Sequence, residues 1–222
     1  MNREGLLVEP NFEDINKYLQ GGSRTEISNL IKRISWKLKG DTDGRSVRNI
    51  LVWMNRNTAR IHNGRDLRKF KRNATEILKS KERTGCCDSS TLFTALARSI
   101  GIPTMQIITL SKKWGEKVDK GISQGTEGHF FVASYLKDLR GKYSWVLIDT
   151  DREVRDIRDV RLETLNLEDR NMGDLYAFAY VSDYYDDLKI DSIKAMGDVQ
   201  LKAYKQCNRR DFINKRDNEQ EL

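Results

Sequence analysis

Along the first hundred residues apolar side chains recur every three or four positions, and beyond residue 103 they alternate, so helices precede a sheet. Ser23 with Glu26 three residues later carries a capping-box pattern, and Ile27, Leu30, Ile31, Ile34 and Leu38 follow at helical spacing until Gly40 interrupts them. Ser46 stands where an N-cap would open a second helix. Its buried stripe is Val47, Ile50, Leu51, Met54 and Thr58, and it ends near Asn63 and Gly64. A third helix from about Asp66 carries Phe70, Ala74, Ile77 and Leu78 up to Gly85. A fourth, over 86–100, presents Leu92, Phe93, Leu96 and Ile100 on one face, and Gly101 with Pro103 stops it.

After Pro103 the period is two. Residues 104–110 predict a strand, and 111–128, with glycines at 115, 121, 125 and 128, predict a long mobile loop. Strands over 129–136 and 143–149 follow, joined by a polar hairpin connection over 137–142. The charged stretch 151–170 predicts a short helix or irregular chain, 175–181 a strand, 190–204 a helix, and 208–222 a frayed polar tail. The expectation is a single α+β domain over 1–206, in which helices pack on an antiparallel sheet. Its core is about 45–150, with a helical extension over 1–44, C-terminal elements over 151–206 and a flexible tail over 207–222.

Composition narrows the function classes. A chain of 222 residues, 38% apolar and 33% charged, is long enough for one good-sized core. No apolar run approaches the roughly 20 residues of a membrane helix, and the first ten residues hold no apolar segment behind a basic one. A cytoplasmic protein without membrane contact is expected. Three cysteines, Cys86, Cys87 and Cys207, do not make a disulfide framework, so reduced thiols are expected. The net charge of +7 permits nucleic acid or an acidic partner without demanding either. Basic residues crowd between Arg60 and Arg83, yet Asp66, Glu76 and Glu82 intervene and no aromatic stacking platform accompanies them. Nucleic-acid binding by that face is retained only as the lesser alternative, and no residue pattern fixes an oligomeric state.

The sharpest chemical feature is Gly85-Cys86-Cys87-Asp88 opening an apolar helix. A thiol in the first turn meets unpaired N–H groups and the positive end of the helix dipole, which favour the thiolate; the competing reading is a small buried hydrophobe. A hairpin symmetric about Leu139 sets Tyr135 opposite Tyr143, Ala133 opposite Trp145, Phe131 opposite Leu147 and His129 opposite Asp149. Opposed residues bring their Cβ atoms to about 4.5–5.5 Å, close enough for a carboxylate to accept from the imidazole while the other ring nitrogen faces the thiol. Singly, the histidine also reads as a structural hydrogen-bonding residue and Asp149 as a turn or cap residue.

The run from Gly85 to Pro103 resembles the nucleophile helix of the transglutaminase-like superfamily: Cys-x-Asp, an apolar helix with a basic residue near its end, then Gly101-Ile102-Pro103 leading into a strand. The spacing from cysteine to that glycine fits Cys86, not Cys87, which reads as a buried small residue. Gly128-His129-Phe130-Phe131-Val132 resembles the family's histidine strand and Trp145-Val146-Leu147-Ile148-Asp149 its aspartate strand. The match covers roughly residues 45 to 150. The resemblance implies a papain/transglutaminase-like core with Cys86 as nucleophile at a helix N-terminus, His129 as general base and acid, and Asp149 as orienting carboxylate. It implies a cysteine protease, amidase or acyltransferase acting on protein or peptide through a thioester, with hydrolysis and transfer both open. Four positions depart from the family pattern. Ser89 and Ser90 replace an aromatic and an alanine, Phe130 or Phe131 replaces a tryptophan, and Thr150 replaces a proline. An inactive member that binds a protein partner is the second reading.

A backbone N–H near Cys86 is the first oxyanion donor; for a second, Trp53 is named against its default of core packing. No cofactor or metal is implied. Zinc would need a close second ligand pair where only His62, His129 and Cys207 remain, and no EF-hand-like oxygen loop is present. The glycine-rich segment before His129 is either a substrate-contacting lid or a plain insertion.

Overall fold

A computed structural model describes residue 8 and residues 10–61, 66–122, 125–138, 140–160, 162–166 and 170–206. The helices are α1 (Asn29–Leu38), α2 (Asp43–Asn57), α3 (Ala74–Ser80), α4 (Cys86–Ser99), α5 (Lys112–Asp119), α6 (Tyr184–Leu188) and α7 (Ile193–Gln206). The strands are β1 (Ala59–Arg60), β2 (Glu82–Arg83), β3 (Thr104–Ser111), β4 (Phe130–Lys137), β5 (Tyr143–Ile148), β6 (Glu163–Thr164), β7 (Asn171–Met172) and β8 (Leu175–Val181). Six strands form an antiparallel sheet in the order β6-β5-β4-β3-β8-β7, while β1 and β2 pair in parallel outside it. The α+β class and the helix-on-sheet arrangement are those expected. No described helix is long and apolar enough to cross a membrane.

α4 lies between the other N-terminal helices and the sheet, packed on α1, α2, α3, β3 and β4. Every residue from Cys87 to Arg98 is buried. Leu92, Phe93 and Leu96 join Val47, Ile50, Leu51, Met54, Ala74, Ile77 and Val132 in one apolar core, so the stripes anticipated for the second and fourth helices are the faces that pack. The helix ends in a Schellman motif. Gly101, at φ +88°, lets its own N–H reach Arg98 O and that of Ile102 reach Ala97 O, at 3.0 and 3.1 Å. On the opposite face of the sheet Met105, Ile107, Ala133, Ala177 and Tyr180 are covered by Tyr18, from the 3-10 turn Ile15–Leu19, and by Trp145, whose rings meet edge to face.

Several boundaries differ from the sequence-based expectation, the first because distant residues claim local donors. The capping box at Ser23 does not form: its N–H and hydroxyl both donate to the Asp186 carboxylate. The N–H groups of Arg24 and Thr25 donate to Asp183 at 2.7 Å, which holds this segment extended until Ser28 caps α1. Thr42, not Ser46, caps α2; the Ser46 hydroxyl donates to Thr42 O and accepts from Gly40 N. That helix stops at Asn57 because the chain turns into β1 to pair with β2; Asn63 and Gly64 lie outside the described residues. The third helix begins at Ala74, after a true capping box of Asn73 and Glu76, and Phe70 sits in the preceding turn at φ +64°.

The hairpin is in a different register. Lys137 pairs with Tyr143, Tyr135 with Trp145 and Ala133 with Leu147, two residues along from the pairing anticipated. The Asp138 carboxylate accepts from the N–H groups of Arg140 and Lys142, both at 2.8 Å, and closes the connection tightly enough for Leu136 and Lys137 to remain in the ladder. Position 139 lies outside the described residues. A slip of two keeps every side chain on its face, whereas a slip of one would have reversed them all.

The segment 111–128 is not simply a loop. Ser111 caps α5, Trp114 stacks edge-on against Tyr204 of α7 and donates to Gly125 O at 3.1 Å, and buried Gln200 of α7 donates to Thr109 O and Glu127 O, both at 3.2 Å. In 151–170 the structure has a 3-10 turn Ile157–Asp159 and the short β6; the anticipated tail, 207–222, lies outside the described residues. Gly128 is the close-approach point of this assembly. A Cβ there would stand 2.1 Å from Thr109 O and 2.7 Å from Gln200 Nε2. Gly128→Ala is therefore expected to cost about 1–3 kcal/mol of stability by overpacking. Denaturant unfolding of the purified variant measures it, and an unchanged midpoint would show that the clamp yields freely.

Candidate active site

The tip of α4 is shaped by its own sequence. Gly85 adopts φ +148° and ψ −168°, a region open essentially to glycine alone, and this turn aims the chain into the helix. Asp88, fully buried, accepts through Oδ2 from the Thr84 N–H and hydroxyl, both at 2.7 Å, and pairs with the Arg72 guanidinium. The Cys-x-Asp spacing thus places a carboxylate in the first turn, where it fastens the residues preceding the cysteine. Consecutive helical side chains diverge by about 100°, and the two thiols separate accordingly. Cys87 is 2% exposed among Phe70, Phe130 and Tyr184, whereas Cys86 is partly exposed. Burial pushes the Cys87 thiol up, reinforced by the neighbouring Asp88 and Cys86. Cys87 is a packed small residue, as expected.

His129 immediately precedes β4 and is held by its backbone. Its N–H donates to Thr109 Oγ1 at 3.0 Å, and its carbonyl accepts from the Thr109 N–H and hydroxyl at 3.0 Å each. Thr109 follows the irregularity at which β3 changes register against β8, so the bulge delivers the residue that fixes the histidine. Nε2 of His129 lies 2.9 Å from Asp149 Oδ1, the ring meets Phe131 edge-on at 4.6 Å, and Cys86 is near enough to act on the imidazole's pKa. With the observed register the histidine and aspartate are diagonal partners beyond the paired ends of β4 and β5, a separation their side chains bridge. The same Asp149 oxygen accepts the Asp151 N–H at 3.0 Å. Turn residue and imidazole partner, weighed above as alternatives, are combined in one atom.

Burial alone would lower the pKa of His129, but its hydrogen bond to Asp149, the nearby Cys86 and the negative charges of both outweigh it and raise it from 6.5 to about 10. Burial raises Asp149, and the bond and charge of His129, then the Asp151 N–H, more than reverse this and hold it below 3.8. The side chains of His129 and Asp149 retain 23% and 38% exposure, so the site is open to solute.

Around this trio lie groups that no sequence motif marked. Asp151 pairs with Arg60 and accepts from Ser89, which in turn accepts from buried Arg83. Sequence offered only the two serines as departures from a pattern, with no hint of the arginine they meet. Trp53 packs against the helical core, the default reading given for it, and lines a groove with Lys37, Leu38 and Arg56. The basic stretch is divided between buried and paired arginines and the exposed Lys71, Lys79 and Lys81. Arg72 and Arg83 are buried, and Arg60 and Arg68 are paired with Asp151, Asp66 and Glu82. Among the described residues no three His, Cys, Asp or Glu side chains gather as for a metal ion; His62 and Cys207 lie outside them.

The family model described as the transglutaminase-like superfamily matches residues 30–150, extending the resemblance into α1. The crystal structure of a putative cysteine protease from Cytophaga hutchinsonii is similar at TM-score 0.52 and 18% identity, over 82% of this chain and 52% of that one. At that identity the likeness is one of fold, and the chain spans about half of that protein's length. No curated protein matches it.

The pKa shifts set a pH signature for stability. His129 is raised, so its pairing contributes fully below pH 6.5 and is lost as pH climbs to about 10. Asp149 is lowered, so its contribution is present above pH 3.8 and lost as pH falls below it. The gap in unfolding midpoint between wild type and His129→Gln is expected to be widest from pH 3.8 to 6.5 and to close towards pH 10. A gap that stays constant above pH 6.5 would contradict the pairing.

Proposed function

Because the chain belongs to the transglutaminase-like superfamily, we propose that it is a cysteine enzyme that cleaves or transfers an amide acyl group of a protein or peptide through a thioester at Cys86. The observation that carries this reading is the 2.9 Å contact of His129 with Asp149, made beside a partly exposed cysteine at a helix tip. The Cys86 thiolate attacks the amide carbonyl carbon and the C=O π pair moves onto oxygen. The first intrahelical bond of α4 is Ser89 N–H to Gly85 O, so the Cys86 N–H precedes the helix ladder and is the donor placed to receive the oxyanion. His129 gives the proton on the nitrogen nearest Cys86 to the leaving amine as the C–N bond breaks. Asp149 keeps the Nε2 proton and the ring orientation throughout.

Neutral His129 then takes a proton from the acceptor, which attacks the thioester and expels the thiolate. Water as acceptor gives a carboxylate; an amine gives a new amide. The reading as a binding module without catalysis would draw support from a sealed Cys86 or a separated His129 and Asp149, and the geometry offers neither.

The test is alkylation by iodoacetamide at about pH 6, where an ordinary thiol of pKa near 8.5 is almost wholly protonated. Wild type and Cys87→Ala are expected to react at Cys86, and Cys86→Ala to show no fast labelling. Peptide turnover should fall by about 10³-fold or more in Cys86→Ala. Equal labelling of both alanine variants would overturn the assignment. Mass analysis of peptides incubated with and without a primary amine separates hydrolysis from transfer.

A further inference from the structure

Beneath the site a line of polar groups joins α4 to the turn that carries Asp149. Ser89, fully buried one turn below Cys86, donates its hydroxyl to Asp151 Oδ1 at 2.7 Å and accepts from Arg83 Nη1 at 3.1 Å. Arg83 is 1% exposed and is anchored through Nε to Thr58 Oγ1 at 2.7 Å. The second oxygen of Asp151 takes Arg60 Nη2 at 2.8 Å. The Asp151 N–H donates to the Asp149 oxygen that faces His129.

We propose that Ser89 and Asp151 are positioning residues: a polar strut that sets the distance between the Cys86 helix and the Asp149 carboxylate. The proposal rests on the triad reading above. Asp149 lies past the end of β5, outside the ladder that orders its neighbours, so the sheet alone leaves its carboxylate free to swing. The strut removes that freedom by tying the next turn residue to the helix that bears the thiol. Stability is a poor account of the same groups. Burial drives the Arg83 guanidinium down to about 10, and its Nη2 is buried without a hydrogen-bond partner, a cost that an apolar residue would avoid. What the arrangement secures is geometry, and a misplacement of about 1 Å at such a site can cost on the order of 10²-fold in rate.

The experiment uses the full chain and follows the rate of Cys86 alkylation by iodoacetamide against pH. The variants are Ser89→Ala, Asp151→Asn, their double mutant, Ser89→Thr and His129→Ala. The charged groups nearest the strut and the site are Lys69 against the Gly85 turn, Asp88 on α4 with its partner Arg72, Arg83 on β2, Arg60 on β1, and His129, Asp149 and Asp151 at the strand ends. Wild type is expected to react at about pH 6 and His129→Ala to lose that reaction. Ser89→Ala and Asp151→Asn are each expected to slow it by about 10-fold and to move the rise in rate to higher pH. The double mutant should be no slower than the worse single, because both changes break one linkage. Ser89→Thr, which keeps the hydroxyl, should restore the profile.

Folded Ser89→Ala and Asp151→Asn proteins with the wild-type profile, or with effects that simply multiply, would overturn the strut. If either does not fold, Thr58→Val, which removes the second anchor of Arg83, is judged by the same profile, and an unchanged profile overturns the proposal. A wild type that reacts no differently from His129→Ala would instead sink the triad reading itself.

Discussion

A helix buried from Cys87 to Arg98 has no water for its polar side chains, and much of this architecture follows from how four of those of α4 are answered. Asp88 turns back to Thr84 and Arg72, Ser89 to Arg83 and Asp151, and Ser90 receives Gln106 of β3. Arg98 at the far end donates to the carbonyls of Thr104, Gln20 and Ser182. An unpaired group in that position would cost about 1–3 kcal/mol, more if charged, so each bond also specifies which element must lie alongside. Arg98 alone joins the start of β3, the N-terminal segment and the end of β8. Burial pushes its guanidinium down to about 10, leaving it charged at neutral pH and dependent on those carbonyls.

The same constraint explains why the site is precise without being enclosed. Cys86 owes its exposure to the turn at Gly85, its aim to Asp88, and its separation from Cys87 to helical geometry. His129 owes its backbone position to a bulge in the central sheet and its ring orientation to a carboxylate on the neighbouring strand end. Three elements distant in sequence converge because each is fixed by groups behind it, not by contacts among Cys86, His129 and Asp149 alone.

What the sequence disclosed was whatever local rules control. The span of α4, its stop at Gly101, the face made by Leu92, Phe93 and Leu96, and the alternation of the strands all follow from periodicity and turn chemistry. Cys86, His129 and Asp149 could be named together because the Cys-x-Asp and histidine-strand motifs are specific. Each misreading turned on a partner that spacing alone does not reveal. Ser23 has the right spacing for a cap, but an aspartate more than 150 residues away takes its donors. The segment 111–128 has the glycines of a loop, but Trp114 and Gln200 make it part of the packed structure. The hairpin register turned on a single carboxylate, Asp138, closing the connection one position later than symmetry about Leu139 implied. Arg60, Arg83, Ser89 and Asp151 belonged to separate segments with no motif in common, and only the fold brings them into line.

The hold of Gln200 on the strand and segment around His129 has a consequence for biosynthesis. Cysteine, histidine and aspartate leave the ribosome well before the glutamine that secures the middle one. At translation speeds of about 5–20 residues per second, that interval is roughly 3–10 s. During it the nascent polypeptide carries Cys86, His129 and Asp149 while the backbone beside His129 still lacks its anchor on Thr109 and Glu127. The order of emergence leaves the completion of this corner of the fold to its last described helix.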